Sequence, residues 1–176
     1  MTQEAGIPAE KQTALDLKGV LANTDNMTGR GFGETYRPGA RATYVQREQV
    51  RVTIAGHSFV TDHPASVGGD DTGPTPAGLL VSALASCTAV NVGRYAVRKG
   101  YAVDSIDIET EYHLRYERIE GPIHAKIFVD GIKSHVKVQG NLTDQQKEDL
   151  RFVAQNCPVG NTLKHGLQVE ESISWS

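Results

Sequence analysis

Cysteine is scarce in this chain, with two residues in 176. That is too few for the disulfide framework that holds small secreted domains together. An excess of positive charge is also missing: 18 basic against 21 acidic residues leave a net charge of −3. A nucleic-acid binder would usually show a basic face or stripe, so no nucleic-acid partner is expected. The N-terminal stretch MTQEAGIPAEKQTALD has no apolar core of the secretory type, and this places the expected compartment in the cytoplasm. No apolar run is both long and clean enough to suggest a bilayer span, so no membrane partner is expected. There is no internal repeat and no low-complexity tract. What remains, 39% hydrophobic and 22% charged residues, is the composition of a globular chain whose length suits one domain.

Residues 1–40 differ from the rest. They are rich in Gly, Thr, Asn and Asp, and Leu15, Leu17, Val20 and Leu21 supply only a turn or two of amphipathic helix. The segment reads as an N-terminal extension, partly mobile, ahead of a domain over 41–176. From Arg41 the pattern alternates with period two, through Ala42 and Tyr44, then Val50, Val52 and Ile54, then Phe59. Two or three strands are expected, with turns at 46–49 and 55–56. PASVGGDDTGPTP follows as a loop dense in Gly, Pro and Asp.

Thr75 then stands as an N-cap, with Pro76 at the first helical position. The helix runs through AGLLVSALASCTAVNVGRYAVRK, has no charged residue from Pro76 to Gly93, and closes at Gly100. A helix apolar on every side is expected to be buried on every side. Ser82, Ser86, Thr88 and Asn91, within a strand-rich chain, argue against a membrane span. Alternation resumes in AVDSIDIETEYHLRYERI and IHAKIFVDGIKSHVKVQG, antiparallel strands turning at Glu120-Gly121-Pro122. Thr143 and Gln146 form a capping box for a second helix, with Leu150, Phe152 and Val153 as its inward side. Pro158 opens a short third helix closed by Gly166, and LQVEESISW alternates as a last strand. The order of elements predicts an α+β domain.

Cys87 lies in the middle of the apolar helix, where a thiol often serves as a small hydrophobe. Cys157 lies at a helix start, where first-turn N–H groups and the helix dipole favour a thiolate. On helix-dipole grounds alone Cys157 is the more reactive of the two.

Thr75-Pro76, the apolar AGLLVSALASC ending at Cys87, and the later CPVGNTL starting at Cys157 together resemble the OsmC/Ohr family. The resemblance covers about residues 41–176. It implies the OsmC/Ohr-like fold, antiparallel sheets around a long buried central helix, in an intertwined homodimer with active sites at the subunit interface. It also implies a thiol peroxidase that prefers organic hydroperoxides and is reset by a dithiol or lipoyl reductant. Carried onto this chain, Cys87 takes the peroxidatic role and Cys157 the resolving one. Arg47, in the turn after the first strand and ahead of Gly56, takes the place of the catalytic arginine, with Arg51 as the fallback.

This set suits the chemistry. An unperturbed thiol, with a pKa of ~8.5, is mostly protonated at neutral pH. Burial raises that value further. A guanidinium is always charged and can donate both to a thiolate and to peroxide oxygens. The chain departs from the family pattern at one point. Where the family carries a glutamate soon after the helix-opening proline, to pair with the arginine, this chain has Ala77 and Gly78. The nearest carboxylates are Asp70 and Asp71, which either replace it or belong to a solvated loop.

The six histidines, His57, His63, His113, His124, His135 and His165, form no HExxH, and there is no CxxC. Neither a metal nor a cofactor is expected. Two rival functions stand beside the peroxidase. One is a non-enzymatic protein of the same fold that binds a small hydrophobic ligand at the dimer interface. The other is a cysteine hydrolase, which no histidine is convincingly placed to serve as base.

Overall fold

A computed structural model describes residues 39–175 of the chain. The amphipathic stretch around Leu15–Leu21, and the N-terminal extension apart from its last two residues, lie outside the described residues. The described part opens with a meander of three antiparallel strands: β1 (Ala40–Gln46), β2 (Gln49–Ile54) and β3 (His57–Thr61). Tyr44 stands opposite Val50, and Val52 opposite Phe59, so the apolar positions picked out by alternation share one face. The turns fall at Arg47–Glu48 and Ala55–Gly56, as the sequence predicts.

Helix α1 (Pro76–Lys99) follows a long loop. Thr75 caps it by accepting the Gly78 N–H at 2.9 Å, and Gly100 ends it in the left-handed region at φ 67°. Strands β4 (Ala102–Arg118) and β5 (Ala125–Asn141) then form a long two-stranded antiparallel ribbon. Helix α2 (Asp144–Gln155) starts at the capping box of Thr143 and Gln146, and α3 (Pro158–His165) starts at Cys157. The core is where α1, α2 and the base of the ribbon meet. Val92, Ala96 and Leu150 are its buried centre, with Tyr95, Val103, Ile106, Val138 and Val153 packed around them. Asn91 adds a polar tie, its amide donating to the Val153 carbonyl at 2.9 Å.

Three expectations are corrected. The alternating segment 167–175 is no strand: it pairs with no other strand among the described residues, and Leu167, Val169, Ile173 and Trp175 are exposed. A period-two pattern makes a strand only where a sheet edge receives it, and among the described residues none does. Phe152 does not face inward and is 68% exposed. Inward positions on α2 recur three and four residues apart, as Leu150, Val153 and Ala154 do, and Phe152 lies off that stripe. Helix α1 is not covered on every side by the described residues. It buries the stripe Val81, Thr88, Val92 and Ala96, while Leu80 and Val90 stay exposed. By length and composition alone α1 could cross a bilayer, with a mean hydropathy of 1.4 over its most apolar window. Its buried polar side chains, however, are spent on contacts inside the domain.

Candidate active site

The two cysteines, far apart in sequence, come together where α3 is laid against α1. Both are unbridged. Cys157 is 1% exposed and serves as the N-cap of α3. Its sulfur accepts the Gly160 N–H at 3.2 Å, as a capping oxygen would accept the N–H at the third helical position. The Thr88 hydroxyl, one residue after Cys87, donates to the same sulfur at 3.2 Å. Gly160 makes this approach possible. A Cβ there would stand 3.1 Å from the Cys157 sulfur and 3.4 Å from a Leu84 methyl, so any larger residue would press on both.

Cys87 is half-buried, the more accessible thiol of the pair. Burial pushes its pKa above the ordinary thiol value. The nearby Val159 N–H opposes the rise, while the neighbouring Cys157 adds to it. These surroundings favour the protonated thiol, and a cation beside it would favour the nucleophilic thiolate.

A cavity of about 440 Å³ opens beside the pair, between α1, the ribbon and the two short helices. Leu80, Leu84, Val136 and Leu163 give it apolar walls, and Thr88 and Cys157 are part of its lining. It can receive an organic group next to Cys157, while Cys87 is not among its lining residues.

Arg47 lies elsewhere, at the β1–β2 turn, in the left-handed region at φ 49°. Among the described residues its guanidinium pairs with Asp70, Nη1 to Oδ1 at 2.5 Å. It is not among the described residues that line the cavity. Arg51 stands mid-strand in β2, opposite Thr43 and Val60. Of the two loop carboxylates left open by the sequence, Asp70 is thus the one that meets Arg47, while Asp71 is exposed at φ 54°.

Sequence reasoning missed Asp62, which organises this loop. It is fully buried, and its carboxylate accepts the His63 N–H at 2.8 Å, the Asp70 N–H at 3.2 Å, the Thr72 N–H at 3.1 Å and the Thr72 hydroxyl at 2.7 Å. Those donors, the Thr72 hydroxyl foremost, hold its carboxyl well below the usual carboxylate range although burial opposes them. The available signal was an acid at the end of an alternating strand, followed by a loop full of small donors. Thr88 was read as part of an apolar helix, and its hydrogen bond to Cys157 has no sequence signature.

A family model described as OsmC-like protein matches residues 68–172, which include both cysteines and all three helices. This chain belongs to the OsmC-like family. Solved structures of the family share its fold. One is a putative osmotic stress induced and detoxification response protein from Psychrobacter arcticus, 19% identical with a TM-score of 0.57, the match covering 72% of this chain and 90% of that one. Another is an organic hydroperoxide resistance protein, OsmC, from Legionella pneumophila, 19% identical with a TM-score of 0.55 over 74% of this chain and 91% of that one. A third is the organic hydroperoxide resistance protein OhrB of Bacillus subtilis, 19% identical with a TM-score of 0.51 over 74% and 93%. No curated protein matches the chain in sequence. The OsmC-like fold, antiparallel sheets with one long helix, is therefore the fold of this chain, and the family includes proteins named for organic hydroperoxide resistance.

Proposed function

We propose that this OsmC-like protein is a cytoplasmic thiol peroxidase that reduces organic hydroperoxides to alcohols, with Cys87 as the peroxidatic and Cys157 as the resolving residue. The observation that carries the reading is an accessible thiol, Cys87, neighbouring a buried one, Cys157, which itself lines an apolar cavity. The Cys87 thiolate attacks the distal peroxide oxygen. The O–O bond breaks, Cys87 becomes a sulfenic acid, and the alkoxide leaves as the alcohol after taking a proton. The Cys157 sulfur then displaces hydroxide from the sulfenic acid, giving the Cys87–Cys157 disulfide and water. A dithiol, free or as a lipoyl group, reduces the disulfide by exchange and is itself oxidised.

The working unit is a homodimer. Three features of the described residues support it: the uncovered face of α1, the apolar segment 167–175 that pairs with no described strand, and a half-buried thiol, Cys87, whose raised pKa calls for a stabilising cation. Arg47 is the cation, brought to the thiols of the second copy, where a guanidinium stabilises the thiolate and the departing oxygen.

One equivalent of cumene hydroperoxide added to reduced protein tests this. The expected result is a Cys87–Cys157 disulfide by mass spectrometry, and a sulfenic acid trapped at Cys87 in Cys157→Ser. Two inert thiols would sink it. Mixing Cys87→Ser with Arg47→Ala protomers tests the dimer: each variant alone is nearly inactive, and the mixture regains turnover because one hybrid site is intact. The cavity also suits the non-enzymatic reading, a carrier of a small hydrophobic ligand, which predicts ligand binding with no thiol oxidation.

A further inference from the structure

The Arg47–Asp70 ion pair bridges two distant stretches, the β1–β2 turn and the loop before α1. An exposed pair of this kind typically contributes little to stability, about 0–1 kcal/mol. Its surroundings are nevertheless built with care. Asp70 is anchored through its own backbone, its N–H donating to the buried Asp62 carboxylate. Gln49, two residues after Arg47, donates to Thr72 at 3.1 Å and reaches Asp70 at 3.5 Å. Thr72 is in turn bound to Asp62 twice. The loop is also pressed onto the backbone beneath it. A Cβ at Gly69 would stand 1.8 Å from the His63 carbonyl oxygen, and one at Gly73 would stand 2.0 Å from that of Val60. The carboxylate that Arg47 meets therefore sits on a locked support, while Arg47 itself is a long, exposed side chain tied down at its guanidinium by that carboxylate. The first turn of α1, Pro76 to Leu79, offers the guanidinium no carboxylate.

From this geometry we infer that Asp70 is the positioning residue for Arg47, holding the guanidinium in the orientation that serves peroxide reduction, with Asp62 as the anchor of that support. The inference rests on the peroxidase reading and specifies how this chain holds its arginine without an acid at the start of α1. Fixing one rotatable donor in advance lowers the ordering cost of the transition state, and misplacement by an ångström is costly.

The test is the rate of Cys87 oxidation by cumene hydroperoxide in stopped flow, read separately from the later disulfide step. Asp70→Asn is expected to slow oxidation by at least about tenfold, while the disulfide step and the melting temperature stay as in wild type. Asp71→Asn is expected to leave all three unchanged. Asp70→Glu, which restores the charge on a longer stem, should recover part of the rate. In the Arg47→Ala background Asp70→Asn should cost nothing further, because a residue acting through Arg47 has nothing left to position. Oxidation as fast in Asp70→Asn as in wild type would overturn the inference, and so would a full additional loss in the Arg47→Ala background. The peroxidase reading fails differently: wild-type protein that does not react at all removes it and this inference together. A wild-type rate unchanged by Arg47→Ala leaves a peroxidase but removes Arg47, and Asp70 with it.

Discussion

The thiol region and the arginine region of this protein are built by different physics. Around Cys87 and Cys157 the chain uses helix packing. Val92, Ala96 and Leu150 bury apolar surface, and the polar contacts there are few and short in reach, such as Thr88 and Gly160 on one sulfur. Around Arg47 it uses a polar lattice, with one buried carboxylate, Asp62, gathering four donors and an exposed carboxylate, Asp70, built on top. The first arrangement suits a nucleophile that must be shielded and a sulfur that must find its partner. The second suits a cation that must stay hydrated and aimed until a peroxide arrives. The thiol end supplies a nucleophile and the arginine end a guanidinium, and the proposed chemistry requires bringing them together.

The two ends should therefore break in different ways. The largest effect belongs to packing. Leu150→Ala is expected to destabilise the protein by about 2–5 kcal/mol, the usual result of hollowing a core. Denaturant unfolding measures it, and a loss under about 1 kcal/mol would show that the core does not hold the thiol region together.

Acid should find the other end. Asp62 is held below its unfolded value, so the unfolded state takes up the proton first, and stability falls as pH drops below about 4. Asp149, lowered by the Tyr101 hydroxyl, and Asp144, lowered by Lys147, are shifted in the same sense and share that loss. Asp62→Asn should be the less stable protein at neutral pH, with a melting temperature lower by several degrees. Its deficit should shrink toward about pH 2–3, where wild type loses the same contribution. A deficit that stays constant across that range would mean that the Asp62 charge does not hold the loop.

The smallest effect is at the sulfur. Thr88→Val keeps the shape and removes the donor to Cys157. It should slow disulfide closure by roughly fivefold at most, equivalent to about 1 kcal/mol. Initial oxidation of Cys87 should be unaltered. A change in that first step instead would move Thr88 into the peroxide site.

Much of the local structure was legible because it is written in nearest-neighbour chemistry. Thr75 with Pro76, Thr143 with Gln146, Pro158 after Cys157 and the glycine at position 100 each mark a helix end, and the structure ends helices there. Phe152 failed on helix periodicity, and the other two failures share one cause. Segment 167–175 alternates as a strand and finds no partner among the described residues, and α1 is apolar on every side yet covered there on one. Both readings asked a local pattern about surfaces that only another segment, or another copy, can provide.

The sequence by itself determined the elements, the pairing of two cysteine motifs that mark the OsmC-like family, and the lack of an acid at the start of α1. These follow from residue identity and short spacing. Only the tertiary structure decided that Cys157 is buried while Cys87 is accessible, that Thr88 and Gly160 both donate to one sulfur, and that Asp70 rather than Asp71 meets Arg47. Those outcomes depend on how far one element stands from another, a distance set by side-chain volume and by a buried carboxylate gathering its donors. No window of sequence contains either.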